Sequence, residues 1–213
     1  MTTPSQHSDA GTLDRFVVAT LGDRLPEQPP GWPNEIEAAL LDSIFSIRAR
    51  YGSETNGVRA VVNRWRNHRD NRADDLGILS KTSPDELARI AMNSSRASGR
   101  LKAAIVVDAA AALVGVGLVH ANQFDLSQQH KRAYLSVKGC GPVTWSYFGM
   151  LLGFPDVKAD TWIVRYVSKA LGRQTSSTEA QRIVNHVAQQ REISATQLDH
   201  AIWQYARKTG LRG

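Results

Sequence analysis

Residues 134–167, YLSVKGCGPVTWSYFGMLLGFPDVKADTWIVRYV, decide the fold. A predicted helix ends at Gly139, and Pro142 lies where the first turn of a new helix accepts a proline. The chain therefore turns back between Gly139 and Gly141, which predicts a helix, a tight turn and a second helix. After a short connection, Asp160 precedes a threonine at the predicted start of a further helix, where aspartate is a common N-cap.

The glycines of this turn have two possible roles. Glycine lets backbone N–H groups approach an anion, and the N-terminus of the second helix adds the positive end of its dipole at the same point. A DNA phosphate would fit there, although the same glycines could serve chain reversal alone. The predicted DNA contacts at this turn are Lys138, Gly139, Cys140, Gly141, Val143 and Thr144.

The composition is that of a folded, basic protein. The chain has 213 residues, of which 42% are hydrophobic and 22% charged, so it can form one core or two subdomains that share it. Lysine and arginine total 26 against 20 acidic residues, which gives a net charge of +6 and a pI near 9.7. This balance favours a polyanionic partner such as nucleic acid, although scattered surface charge would give the same numbers.

The number of cysteines and the length of the apolar runs exclude several classes of protein. Cys140 is the only cysteine, which excludes an intrachain disulfide framework, a cysteine-based zinc site and an iron–sulfur cluster held by four cysteines of this chain. The histidines show no metal-ligand spacing, so no metal site is predicted. No apolar run reaches the roughly 18–20 residues of a membrane span, and the N-terminus has no signal-peptide pattern. We therefore expect no membrane partner and a cytoplasmic protein, associated with the nucleoid if the source is prokaryotic.

Helical spacing of apolar residues dominates the remaining sequence, with Ser, Thr or Asn at helix starts and Gly at helix ends. The predicted fold class is all-α, with roughly nine or ten helices and no hairpin between β-branched runs. The predicted parts are a flexible tail (residues 1–11), a terminal helical lobe (12–39 plus 156–213) and a central helical bundle (40–155) with the helix–hairpin–helix near 127–152. A cleft between the two lobes, with Asp160 at its lip, would hold the site.

The ordered pair LSVKGCGPVTW and GFPDVKADTWIVRYVSKALG resembles the helix-hairpin-helix (HhH-GPD) DNA glycosylases, the superfamily of endonuclease III. In that family a Gly-x-Gly hairpin is followed by a helix start that carries the catalytic aspartate, and these positions fall on Gly139, Gly141 and Asp160. Weaker similarity in LLDSIFSIRARYG and SSRASGRLKAAIVVDAAAAL extends the resemblance over residues 34–172. It implies a two-lobed helical fold and a monomer that binds double-stranded DNA containing a lesion or a mismatch.

Asp160 suits the chemistry of such an enzyme. Removing a base requires the nucleotide to leave the stack, and positive charge develops on the sugar as the glycosidic bond loosens. A carboxylate at a helix N-terminus stays ionised, so it could stabilise that charge or activate water. The same residue could equally be an ordinary helix cap with no further role.

The resemblance also implies which reaction follows. Family members that cut the backbone use a lysine in the second hairpin helix, and the matching position here is Val143. We therefore expect a monofunctional glycosylase that uses water and has no iron–sulfur cluster or other cofactor, apart from a monovalent cation that the hairpin carbonyls could hold. Two alternatives stay open: a non-catalytic DNA-binding protein, and a glycosylase/lyase that uses Lys138 or Lys158.

Further candidates surround the expected site. The end of the first long helix supplies Arg48 and Arg50 as DNA contacts and Tyr51 for the base pocket, where relatives hold the duplex open. Trp145 and Trp162 are further pocket candidates, although aromatic residues at helical spacing more often belong to a core. Arg165, one turn after Asp160, could meet a phosphate. The sequence does not say which base is removed.

Overall fold

The computed structural model describes residues 4–211, with side chains from residue 9 onward. In this range the chain is mostly helical, which confirms the all-α prediction. The helices are α1 Pro4–Leu21, α2 Ile36–Phe45, α3 Gly57–His68, α4 Leu76–Lys81, α5 Pro84–Ala91, α6 Lys102–Val114, α7 Gln128–Leu135, α8 Pro142–Leu151, α9 Thr161–Leu171, α10 Ser177–Gln190 and α11 Ala195–Thr209, with a short 3-10 helix at Ala121–Gln123. None of these helices is both long and apolar enough to cross a membrane.

The chain forms two compact units, each with its own hydrophobic core. The terminal unit contains the residues up to Pro29 and those from Pro155 onward, and the central unit is Pro30–Phe154. The first boundary therefore lies ahead of the predicted one at residues 39/40. The reason is α2, because all of its residues are buried in the core of the central unit, including those at its N-terminal end.

The N-terminal segment is helical where a flexible tail was predicted. Within the described residues, α1 begins at Pro4, and proline is tolerated in the first turn of a helix. Ala10, Leu13 and Val17 repeat at helical spacing and are buried in the terminal core, where α1 packs against α9, α10 and α11. Residues 1–3 of the predicted tail lie outside the described range. The residues of the predicted tail are mostly small and polar, so the start of this helix was missed.

Two local elements of the central unit were not predicted. The first is α4, which is capped by the Asp75 carboxylate accepting the N–H groups of Gly77 and Ile78. The second is a short antiparallel pair of strands, β1 (Arg96–Ala97) and β2 (Arg100–Leu101). Its turn places Ser98 and Gly99 at φ of 51° and 78°, the positive values that a two-residue hairpin turn requires. These strands contain no β-branched residue, so their sequence gives little strand signal.

Candidate functional site

The predicted hairpin is present between α7 and α8. The Cys140 N–H donates to the Val137 carbonyl at 2.9 Å, which closes the turn. Gly139 adopts a φ of +112°, and a Cβ at this position would lie 2.5 Å from Cδ1 of Ile105 on α6. Glycine is therefore needed at 139 for both its backbone conformation and its close packing.

The second glycine begins α8 and differs in its role. Gly141 is extended, with a φ of −152°, and nothing lies within 4 Å of a Cβ built on it. The Thr144 hydroxyl accepts the Gly141 N–H at 3.0 Å and donates to the Gly141 carbonyl at 2.9 Å. The Gly141 amide is thus already used within the protein. Helix geometry leaves the N–H groups of Val143 and Thr144 without intrahelical acceptors, so these two are the amides that an anion can reach.

Arg100 supports the hairpin from the β2 strand, a role that the sequence did not reveal. Its Nη1 donates to the Lys138 carbonyl at 3.1 Å, and its other nitrogen pairs with Asp108 on α6. The Lys138 side chain itself is exposed. The carbonyls of Val137 and Lys138 each already accept one hydrogen bond, and a cation at the hairpin carbonyls stays a prediction.

Cys140, between the two glycines, has the character of a packing residue. It is half-buried, and burial raises the pKa of its thiol to about 11. The thiol is therefore protonated at neutral pH and is a poor nucleophile or metal ligand. Within residues 4–211, no group of three or more His, Cys, Asp and Glu side chains is placed to hold a metal ion.

The turn after α2, residues 46–51, carries the predicted Arg48, Arg50 and Tyr51. Both arginines are exposed, and Arg48 has a φ of +49°, which is uncommon for a residue other than glycine. Lys102, only 3% exposed, holds the start of this turn by donating to the carbonyls of Phe45 (3.0 Å) and Ile47 (2.7 Å). Burial lowers the pKa of Lys102. This lysine was missed, because nothing in its sequence context indicates that it is buried.

Tyr51 is held by a buried carboxylate. Asp42 is 0% exposed, and its Oδ2 accepts the Tyr51 hydroxyl at 3.3 Å and the Trp32 Nε1–H at 3.0 Å. Its Oδ1 accepts the Tyr147 hydroxyl at 3.1 Å. Burial and the charge of Asp42 raise the pKa of Tyr51. The Tyr51 hydroxyl therefore has a partner inside the central unit, and only its half-buried ring is available to line a pocket.

Trp145 does not belong to a base pocket. Its side chain is 5% exposed, and its ring contacts those of Phe124, Tyr134 and Phe148 at centroid distances of 5.4, 5.5 and 6.2 Å. These contacts place it in the core of the central unit and leave it no free face for a base. Its helical spacing with Phe148 was the signal for this packing.

Asp160 begins α9 as its N-cap. Its Oδ1 accepts the N–H groups of Trp162 at 2.8 Å and Ile163 at 3.4 Å, and its backbone is extended as a cap requires. The carboxylate is half-buried. The predicted helix start is therefore correct, and the carboxylate accepts two amides that have no acceptor within α9.

Two other predicted residues lie on the first turns of α9. The Arg165 guanidinium lies over the Trp162 ring, 5.6 Å from its centroid, and both side chains are half-buried. Lys158 is also half-buried, and its carbonyl accepts the Asp160 N–H at 2.5 Å. The candidates thus form two groups. The hairpin and the 46–51 turn belong to the central unit, whereas Asp160, Trp162 and Arg165 belong to the terminal unit.

A family model matches residues 12–207, almost the whole chain. The chain belongs to the family described as Domain of unknown function (DUF8548). No curated protein matches it. Membership of this family therefore gives no activity.

Solved structures show which fold this family member has. A trapped covalent intermediate of endonuclease III with DNA, an estranged-adenine complex, is 18% identical, with a TM-score of 0.58 over 98% of this chain and 88% of that one. Clostridium acetobutylicum 8-oxoguanine glycosylase/lyase, with DNA containing cytosine opposite 8-oxoG, is 12% identical (TM-score 0.54; 97% and 69% covered). MBOgg1 with a low-affinity DNA ligand is 14% identical (TM-score 0.53; 96% and 70% covered). The fold is that of the helix-hairpin-helix DNA glycosylases.

Proposed function

We propose that this member of the DUF8548 family is a monofunctional DNA glycosylase of base excision repair. The observation that carries the proposal is the ordered pair of helix starts on a glycosylase fold: a hairpin with open amides at α8, then a carboxylate at α9. The solved proteins with this fold include DNA glycosylases bound to DNA. The net charge of +6 suits a DNA partner.

The hairpin would bind a phosphate of double-stranded DNA that contains a lesion or a mismatch. The amides of Val143 and Thr144 and the dipole of α8 form an anion site, and the exposed Lys138 adds positive charge. Arg48 and Arg50 are exposed on a turn whose Ile47 carbonyl accepts a hydrogen bond from Lys102. An exposed, fixed turn with two arginines suits contact with an opened duplex. Trp162 and the ring of Tyr51 are the remaining candidates for contact with a flipped base.

Asp160 would then assist hydrolysis of the N-glycosidic bond. In this step the bond between the base and C1′ breaks, the base leaves with its electron pair, and a water oxygen bonds to C1′. Asp160 accepts the proton of that water, and the departing base takes a proton from solvent. A carboxylate also stabilises the positive charge that develops on the sugar.

Water is the proposed nucleophile because Val143 occupies the position at which lyase members of the superfamily have a lysine. Lys158, next to the start of α9, and the exposed Lys138 are the residues that a lyase alternative would need. Borohydride treatment during turnover distinguishes the two, because it traps a Schiff base between a lysine and DNA. Monofunctional chemistry predicts no trapped adduct, whereas an adduct that disappears in Lys158→Met or Lys138→Met would establish a lyase.

A second candidate function is DNA binding without catalysis. The complete N-cap geometry of Asp160 favours it, because the hydrogen bonds to Trp162 and Ile163 give this aspartate a structural role that needs no substrate. Under this alternative no base is released, and the hairpin alone accounts for function.

A panel of duplexes, each with one alkylated, oxidised, deaminated or mismatched base, tests the proposal. Abasic sites are scored after incubation with the wild-type protein and with Asp160→Asn. We expect abasic sites on at least one duplex with the wild type and none with the variant, which should still bind DNA. Equal base release by both proteins would reject the role of Asp160, and release from no duplex despite DNA binding would favour the non-catalytic alternative. A monomer and a cytoplasmic location remain predictions.

A further inference from the structure

Asp199, in the first half of α11, is a buried carboxyl that the proposed reaction does not use. Its side chain is 7% exposed, and among the described residues its Oδ1 has no hydrogen-bond partner. An ionised carboxylate in this position would have one oxygen with neither water nor a hydrogen-bond donor, which is costly. A protonated carboxyl avoids most of that cost, because the whole group is then uncharged.

The carboxyl lies among the charged groups that precede α9. Those acting on Asp199 are Asp156, Lys158 and Asp160, and the backbone N–H of Lys158 donates to its carboxyl group. The sequence alone did not indicate that Asp199 lies near Asp160, because residue 199 comes 39 positions after residue 160. The packing of α11 against α9 does so.

Of these carboxyl groups, Asp199 has the fewest donors. Asp156 accepts the side-chain amides of Gln181 (3.0 Å to each oxygen) and Asn185 (3.2 Å). Asp160 accepts two helix amides at its cap position. Carboxylates with several donors keep their charge, whereas the one with an unpartnered oxygen is the natural holder of a proton.

Electrostatics agree with this assignment. Burial raises the pKa of Asp199 well above its usual range, and the negative charges of Asp160 and Asp156 raise it further. The charge and the backbone N–H of Lys158 oppose the rise without cancelling it.

We infer that Asp199 is a positioning residue for Asp160: it is the member of a carboxyl pair that holds a proton, so that Asp160 can carry the charge. Its importance for base release rests on the proposed function, whereas the state of the pair does not. A protonated Asp199 lets Asp160 remain an anion beside a second carboxyl. Ionising Asp199 would add a like charge nearby and make Asp160 hold a proton more tightly.

The pH dependence of stability tests the pair without any DNA. A carboxyl whose folded pKa is raised contributes stability that is full below its unfolded value of about 3.9 and lost as pH rises towards the folded pKa. Asp199→Asn removes this loss. We therefore expect the difference in melting temperature, full-length variant minus wild type, to increase by roughly 3–5 °C per pH unit above about pH 4. The increase should end at the pH where Asp199 ionises in the folded wild type. A difference that does not change with pH would overturn the inference.

The Asp160→Asn background isolates the coupling between the two carboxyls. Because the charge of Asp160 is one cause of the raised proton affinity, the gain from Asp199→Asn should end at a lower pH when Asp160 is already Asn. An unchanged pH range in this background would show that Asp199 is buried but not paired with Asp160, which overturns the inference.

Carbon-13 NMR of the aspartate carboxyl groups gives a second measurement that does not depend on Asp199→Asn folding. We expect the Asp199 signal of the wild type to titrate well above pH 4, and to titrate at a lower pH in Asp160→Asn. Titration near pH 4 in the wild type would contradict the pair. Because neither experiment uses a substrate, an absence of base release with an intact pair would refute the proposed function alone.

Once a substrate is known, its pH profile tests the positioning role. Asp199→Asn fixes this side chain in an uncharged state. The wild-type profile should change where Asp199 ionises, and the variant should lack that change. Identical pH profiles of the wild type and Asp199→Asn would show that Asp199 does not influence Asp160, which would reject its positioning role.

Discussion

The N-termini of α8 and α9 have similar backbone geometry and opposite charge. Helix α8 follows the hairpin turn and α9 follows a short connection, and both begin at a residue with β-region dihedral angles. At α8 the cap residue is Gly141, which has no side chain to cover the first amides. At α9 the cap residue is Asp160, whose carboxylate already accepts the amides of Trp162 and Ile163. The first terminus is open to an anion, and the second already holds its own.

This difference shows how one kind of local structure can serve two roles. An open N-terminus attracts a phosphate through its dipole and free N–H groups, whereas an aspartate cap cancels that attraction and leaves a stabilised negative charge. A glycosylase needs both, because it must bind a polyanion and stabilise a cation-like sugar. Exchanging the properties of the two cap residues is therefore an informative experiment.

The largest expected effect comes from removing the charge at α9. Asp160→Asn should lower single-turnover base release about 10³-fold, since a general base or a charge-stabilising group is worth about that much. Asn caps helices nearly as well as Asp, so its stability should be close to that of the wild type, whereas Asp160→Ala should cost about 1 kcal/mol. Base-release assays and urea unfolding measure the two quantities. If release fell only in Asp160→Ala, in step with stability, Asp160 would be a cap and nothing more.

A smaller effect is expected from adding a charge at α8. Gly141→Asp places a carboxylate near the open amides, and nothing lies within 4 Å of a Cβ built on Gly141. We expect DNA affinity to fall about tenfold or more at low salt, equivalent to about 1.4 kcal/mol. Gly141→Ala is the matched control, and it should bind within about threefold of the wild type. Fluorescence anisotropy with a labelled duplex measures the DNA affinity of both variants. Equal affinities would show that the N-terminus of α8 does not bind a DNA phosphate.

The parts of the fold that sequence predicted are those set by local signals. Helix caps are one such signal, because a cap acts on amides only two or three residues away. The residues that cap helices at the predicted starts are Ser83, Ser127, Asp160 and Ser176. The predictions for the N-terminal half of α1 and for residues 96–101 were wrong. The start of α1 has mostly small and polar residues, and the strands have no β-branched residue. Their structure depends on packing that no short window of sequence contains.

The candidate site divides in the same way. Gly139, Gly141 and Asp160 were found from short motifs, and the structure gives each a specific backbone or cap role. Three residues were not found, because only their burial distinguishes them from other lysines and aspartates. They are Asp42, Lys102 and Asp199. Burial of such side chains results from contacts across long stretches of chain, for example from Asp42 to Tyr147. Trp145 is buried in the core and not in a pocket, as its helical spacing with Phe148 already indicated.

The most direct test of the central claim compares the two cap variants on the substrate that the wild type cleaves. Single-turnover rate constants at saturating protein and DNA dissociation constants are measured for the wild type, Gly141→Asp and Asp160→Asn. The account predicts that Gly141→Asp weakens binding but keeps its saturated rate within about threefold of the wild type. It predicts that Asp160→Asn binds as well as the wild type and has lost base release. A saturated Asp160→Asn that releases base at the wild-type rate would contradict the account.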